Sequence, residues 1–191
     1  PVFMNVGGLK VVAPGTPADA KGLMKTAIQD DDPVIIFEDG TLLGTRGEVP
    51  DNPDFTVPFG VANVLRPGTD VTVVAIAGSV PHAVSAAEEM EKEGVSVEVI
   101  DPRTLVPLDK ETVLNSVGKT GRLVVADPAA KVCSAASEIM SIVGEEAFWD
   151  LQAPMQKVAS KQVHIPFAQS LEKLVYPTKD GITEAIKKTL G

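Results

Sequence analysis

Residues 9–37, LKVVAPGTPADAKGLMKTAIQDDDPVIIF, contain the pattern that decides the fold. Residues 9–13 form a short valine-rich run that ends at a proline and a glycine, which predicts a β-strand. Thr16 stands where a helix N-cap is expected, and Asp19 favours the positive end of the helix that follows. Residues 34–37 are a second apolar run, predicted to be a buried strand. A strand, a helix and a strand in this order predict half of a βαβ unit in a parallel sheet.

The same alternation restarts after residue 70 and is more complete there. It predicts strands at 71–77, 95–100, 123–126 and 154–159, and helices at 81–94, 109–117, 135–151 and 181–190. Glycines and prolines interrupt residues 38–68, which favours a linker, although the alternation of Phe55, Val57 and Phe59 predicts one short strand in it. We therefore expect an α/β protein with an incomplete first part and a complete, open, mostly parallel second part.

Composition excludes several classes of protein. The chain has 191 residues, of which 44% are hydrophobic, so a folded globular core is expected. The formal net charge of −9 argues against a nucleic-acid surface. No unbroken apolar run approaches 18 residues, so no membrane-spanning helix is predicted. A lone cysteine, Cys133, cannot form an internal disulfide, which indicates a reducing compartment.

Polar residues follow three of the predicted strands, where open α/β sheets bind ligands. These are Gly78-Ser79, residues 101–104 and Asp127. They form either a polar site or a set of loop caps, in which Arg103 pairs with Asp101 or Asp127. No nucleotide-binding glycine motif is present. His82, His164 and Cys133 are interpreted as structural, since none has a second metal ligand at suitable spacing.

The acidic run 30–32 follows Ala27 and Ile28 at the end of the first helix. The last carbonyl oxygens of a helix have no partners within the helix, and added carboxylates would complete a set of hard oxygen ligands for a cation. The alternative is a solvated acidic helix end, which the helix dipole disfavours. The residues alone leave both interpretations open.

Six motifs resemble one family over nearly the whole chain. They are GLKVVAP (8–14), TPADAKGL (16–23), DPVIIFE (32–38), VIDPRTLVPLD (99–109), KTGRLVV (119–125) and IPF (165–167), the last followed by Leu171-Glu172. The chain resembles the E1 component β subunit of thiamine-diphosphate-dependent 2-oxo acid dehydrogenases of the pyruvate or acetoin type, in its C-terminal portion. Residues 133–136 are more similar to the acetoin branch.

The resemblance implies a domain organisation: residues 1–39 as the C-terminal part of a pyrimidine-binding domain, 40–68 as a linker, and 69–191 as a transketolase C-terminal-like domain. It implies a potassium site matched by Ala27, Ile28, Asp30 and Asp32. It implies no catalytic residue here, because the glutamate and histidine that serve the cofactor lie upstream in the family.

The resemblance also implies partners and a cofactor. Thiamine diphosphate with magnesium is expected in the assembled enzyme, not in this segment alone, which is expected to be inactive. The expected partners are an E1 α subunit, a second β subunit in an α2β2 heterotetramer, and the E2 dihydrolipoyl acyltransferase, with neither nucleic acid nor membrane. The expected compartment is the bacterial cytoplasm or the mitochondrial matrix. The alternatives are a stand-alone interaction module of the same fold and a relative of transketolase or deoxyxylulose-phosphate synthase.

Overall fold

The computed structural model describes all residues, 1–191, and contains eight strands and six α-helices. In chain order these are β1 (Lys10–Val12), α1 (Pro17–Gln29), β2 (Val34–Ile36), β3 (Asn63–Arg66), β4 (Val71–Ala75), α2 (Val80–Lys92), β5 (Val97–Asp101), β6 (Thr104–Val106), α3 (Lys110–Thr120), β7 (Leu123–Ala130), α4 (Ala135–Glu146), β8 (Gln156–Ser160), α5 (Gln169–Glu172) and α6 (Lys179–Leu190). No helix combines the length and the apolar content needed to cross a membrane.

A five-stranded sheet forms the centre of the larger part, in the order β3-β5-β4-β7-β8. The last four of these strands are parallel to their neighbours, and β3 is an antiparallel edge strand. β4 and β5 are valine-rich and buried along their whole length, as expected of strands covered on both faces. The predicted open, mostly parallel α/β domain is confirmed.

Helices cover both faces of this sheet. One core cluster joins Val73 and Val99 to α2 and α6 through Met90 and Ile186. The other joins the opposite face to α3 and α4 through residues such as Ile139. Because β4 connects through α2 to β5 and the chain then crosses to β7 on the other side, the strand order reverses beside β4. Ligand crevices in this fold class open at the carboxyl ends of strands at such a reversal.

A second, three-stranded sheet has the order β2-β1-β6. β1 and β2 are parallel, with Val11 opposite Ile35, and β6 joins β1 in the antiparallel direction. Thr16 caps α1, because its hydroxyl accepts the amide hydrogen of Asp19 at 3.1 Å. The predicted strand-helix-strand unit is therefore confirmed, and its sheet is completed by a strand from the other part of the chain.

Several elements differ from the predictions. Residues 55–59 do not form the predicted strand. Instead Val57 packs on Leu23 of α1 without a hydrogen-bonded ladder, which explains the alternation. β2 is half-buried, not buried, because it is an edge strand. β3, β6 and α5 were not predicted, and the predicted helix 135–151 ends at Glu146. The predicted division into 1–39, 40–68 and 69–191 stays a prediction.

Candidate functional site

The carboxyl edge of the large sheet brings together most of the polar residues predicted there, but in two groups. Asp127 lies in the C-terminal half of β7 and accepts the amide hydrogens of Ala129 at 2.8 Å and Ala136 at 3.0 Å. Both of its oxygens therefore cap local backbone. Gly78, after β4, donates its amide hydrogen to Asp39 of the preceding segment at 3.1 Å. A Cβ on Gly78 would lie 2.3 Å from that carboxylate, so only glycine permits the contact.

The second group is a buried charged cluster between α1 and the loop after β5, formed by Asp19, Asp101 and Arg103. Arg103 Nε lies 2.7 Å from Asp19 Oδ1, and the Asp19 side chain is only 1% exposed. The N–H of Nε is not aligned with that oxygen, so charge holds the pair more than a directed hydrogen bond does. The guanidinium of Arg103 therefore pairs with Asp19, not with Asp101 or Asp127 as the loop-cap interpretation predicts, because the fold places α1 against this loop. We call these three residues the junction cluster.

Asp101 is fully buried within the junction cluster. Its Oδ1 accepts the amide hydrogen of Arg103 at 2.8 Å, whereas its Oδ2 has no hydrogen-bond partner. Burial raises the pKa of Asp101 to about 7, and the carboxylate of Asp19 adds to the rise, although the amide and the charge of Arg103 oppose it. Arg103 itself adopts a left-handed backbone, with φ of 59°, which L-residues rarely adopt.

A cavity of about 340 Å³ opens at the carboxyl ends of β4 and β7, where the strand order reverses. Its walls are mainly apolar, and its polar lining consists of Glu38, Asp39, Asp127 and Tyr176. Met4, near the start of the chain, closes one side. A second, smaller cavity of about 40 Å³ places His82 beside the same Tyr176. His82 therefore has polar neighbours, but no second histidine or cysteine lies near it.

The residues predicted to hold a cation lie at the end of α1, and Lys10 of β1 reaches them. Its ammonium is 2.7 Å from both oxygens of Asp30 and 3.1 Å from Asp32. This hydrogen bond lowers the pKa of Asp30. The carbonyl oxygens of Ala27 and Ile28 accept no backbone hydrogen bond. The structure therefore leaves backbone oxygens available, while the two carboxylates already share one ammonium.

The remaining candidates do not join either group. Cys133 is exposed, in a left-handed turn just before α4. His164 lies in an exposed segment with Ile165 and Phe167, not in an apolar contact. Sequence reasoning missed Asp19, Asp39 and Lys10 as site residues. The local sequence indicates only that Asp19 interacts favourably with the positive end of the helix dipole. It does not indicate a partner more than 80 positions away.

Comparison with known proteins identifies the class to which this fold belongs. Residues 60–182 match the family described as "Transketolase, C-terminal domain". The chain belongs to this family. It has the same fold as a solved structure titled "Split gene transketolase, inactive beta4 tetramer", with a TM-score of 0.80 and 27% identity, over 99% of this chain and 59% of that one.

Proteins of known function narrow the class further. The chain is 45% identical, over 100% of its length and 56% of the relative's, to the acetoin:2,6-dichlorophenolindophenol oxidoreductase subunit beta of Cupriavidus necator. It is also 45% identical, over 99% of its length and 56% of the relative's, to the pyruvate dehydrogenase E1 component subunit beta of Leifsonia xyli. For the 2-oxoisovalerate dehydrogenase subunit beta of Bacillus subtilis the identity is 39%, over 98% of this chain and 58% of that one. The chain thus spans a little over half the length of these relatives, and its similarity to E1 β subunits agrees with the resemblance found in its motifs.

Proposed function

We propose that this chain is the C-terminal portion of the β subunit of a thiamine-diphosphate-dependent E1 enzyme that acts on pyruvate, another 2-oxo acid or acetoin. The observation that carries the proposal is the 45% identity to such β subunits over essentially the whole chain. In this function the complete enzyme decarboxylates or cleaves its substrate and passes the acyl unit to the lipoyl group of E2. The bacterial relatives favour the cytoplasm over the mitochondrial matrix as its compartment.

We do not assign a cofactor site to the residues of this chain. No group of three or more histidine, cysteine or acidic side chains could hold a metal ion here, and no glycine-rich phosphate loop is present. Thiamine diphosphate, when bound, supplies the carbanion that attacks the substrate carbonyl and the electron sink that follows. We place it with magnesium in the assembled enzyme, and we assign no catalytic step to this chain.

The role assigned to this chain is assembly. The large sheet with its four main helices would provide the scaffold on which an E1 α subunit, a second β subunit and E2 are held, giving an α2β2 heterotetramer. Exposed apolar side chains between β8 and α6 support a contact role: Ile165 is 49% exposed, Phe167 is fully exposed, and Leu174 is 63% exposed. The net charge of −9 is compatible with a basic partner.

The potassium site is part of the same proposal. The unpaired carbonyl oxygens of Ala27 and Ile28 support it, together with Asp30 and Asp32 at the end of α1. The Lys10 ammonium opposes it, because one positive charge already faces the two carboxylates. A potassium ion would therefore be held mainly by backbone oxygens.

A chimera tests the proposed function. This chain replaces the matching C-terminal part of the C. necator β subunit, and the chimera is combined with that enzyme's α subunit, thiamine diphosphate and magnesium. We expect reduction of 2,6-dichlorophenolindophenol with acetoin, pyruvate or 2-oxoisovalerate. A chimera that assembles with the α subunit but reduces no dye with any of the three would contradict the proposal.

Two controls separate the alternatives. The C. necator N-terminal part with the α subunit but without this chain should be inactive. A stand-alone interaction module would fold but fail to restore activity. A transketolase relative would instead use a ketose phosphate as donor. The similarity to the split transketolase supports this second alternative. Assaying the assembled chimera with a ketose phosphate therefore decides between an E1 subunit and a transketolase.

A further inference from the structure

We propose that the junction cluster is a proton-controlled latch between the N-terminal segment and the large sheet. One proton on Asp101 keeps the junction closed, and its loss weakens the contact. The latch lies where three segments meet: the turn after β1, the first turn of α1, and the loop between β5 and β6. Nothing in the proposed function requires this behaviour, so the two proposals can fail independently.

The carboxyl group of Asp101 is enclosed by protein. A Cβ placed on Gly15 would lie 2.4 Å from Asp101 Oδ2 and 2.7 Å from Val80 Cγ2, so backbone and side chain pack directly against the carboxyl group. Oδ2 has no protein hydrogen-bond donor either. An ionised carboxylate in this position would have one buried oxygen without a hydrogen-bond donor from the protein, which opposes its ionisation.

The single guanidinium of the cluster cannot serve both carboxylates equally. Arg103 Nε faces Asp19, whose other oxygen is held by the Thr16 hydroxyl at 2.5 Å. The charged groups that act on Asp101 are Asp19 from α1 and Arg103 from its own loop. Gly15, Val80 beside it, and Asn63, which pairs with Asp101 from β3, carry no titratable group. The cluster contains two carboxyl groups and one guanidinium, so its charge is balanced when one of the two carboxyl groups holds a proton.

The sign of the pH effect follows from the two states of the junction. In the closed junction the pKa of Asp101 is about 7, whereas in an opened, hydrated junction it returns to its ordinary value of 3.8. Between these values the closed state binds one proton more than the open state. Raising the pH therefore favours opening by about tenfold per pH unit, and the effect levels off above pH 7.

Opening of the junction has a local reporter. The amide of Ala13, at the end of β1, donates its hydrogen to the Arg103 carbonyl at 2.9 Å, directly across the latch. The amide of Thr72, which donates to the Arg122 carbonyl at 2.9 Å in the large sheet, serves as an internal reference. The ratio of their protection factors removes the intrinsic pH dependence of hydrogen exchange.

The experiment measures this ratio by NMR at pH 5, 6, 7 and 8 in the chain, in Asp101→Asn and in Asp127→Asn. In the unmodified chain we expect protection of Ala13 relative to Thr72 to fall about tenfold from pH 5 to 6, and to become constant above pH 7. Asp101→Asn, which is neutral at every pH, should abolish the slope. Asp127→Asn, which removes a buried carboxylate of β7 in the same sheet, should retain it.

A second measurement needs no variant. Infrared spectroscopy of the unmodified chain should show the carbonyl stretch of one protonated carboxyl group that persists at pH 6, after the other carboxyl groups have ionised. The proposal is overturned by a constant Ala13 ratio in the unmodified chain, by an Asp101→Asn variant that keeps the slope, or by the absence of a protonated carboxyl group at pH 6.

Discussion

Replacing Arg103 by alanine tests how strongly the junction cluster holds the two parts of the chain together. The substitution removes the only cation beside Asp19, a carboxylate that is 1% exposed. Removing one partner of a buried ion pair typically costs about 3–5 kcal/mol, because the remaining charge is left without compensation. The Arg103 side chain is 18% exposed, so some solvent screening remains. We therefore expect a loss near the lower limit, about 3 kcal/mol in the free energy of unfolding.

Urea denaturation followed by far-ultraviolet circular dichroism measures this loss. Fluorescence is unsuitable, because Trp149, the single tryptophan, is 92% exposed and little affected by unfolding. The matched control is Lys110→Ala, which breaks an exposed pair with Glu146 at 2.8 Å and should cost less than about 1 kcal/mol.

A double variant separates charge from packing. When Asp19→Asn is combined with Arg103→Ala, no buried charge is left unpaired, so the double variant should be more stable than the sum of the single losses predicts. The reasoning is refuted if Arg103→Ala costs no more than Lys110→Ala, or if the losses of the two single variants simply add.

Two further predictions concern backbone contacts near the same edge of the sheet. Gly15→Ala should lower the free energy of unfolding by about 1–3 kcal/mol, because its methyl group would overlap Asp101 and Val80; an unchanged urea midpoint would contradict the close approach. Burial opposes ionisation of Asp109, but hydrogen bonds from the Ala62 amide, and from Thr112, lower its pKa overall. The stability that Asp109 contributes is therefore present above its unfolded pKa and lost as the pH falls through the folded one. Asp109→Ala should lower the free energy of unfolding by about 1 kcal/mol at pH 7 and by progressively less as the pH is lowered. Urea denaturation of both proteins at pH 7 and at acid pH measures this difference.

Local signals predicted the elements that are long or strongly patterned. β4 and β5 are rich in valine, and α1 begins directly after the predicted N-cap Thr16. Gly94 ends the α2 region with φ of 82°, as its glycine predicts. β6 was missed because three residues between Pro102 and Pro107 carry no strand pattern of their own. It becomes a strand only because β1 lies beside it.

The candidate cation site was predicted only in part. The sequence located Asp30 and Asp32 after a helix that ends at Gln29, where carbonyl oxygens are free. It did not predict that Lys10 faces these carboxylates, since the contact depends on the pairing of β1 with β2. The alternation of Phe55, Val57 and Phe59 similarly predicted burial of Val57 but not the absence of a ladder.

The amino-acid order by itself determined the class of fold and, through its motifs, the family. Periodicity, helix caps and turns depend on interactions between residues close together in the chain, so they can be predicted from the sequence alone. Only the tertiary structure decided that Arg103 faces Asp19, that Asp101 is enclosed without a partner for one oxygen, and that a strand of the larger part completes the smaller sheet. These contacts join residues far apart in the chain, and the energy of a buried charge depends on every group packed around it rather than on its neighbours in sequence.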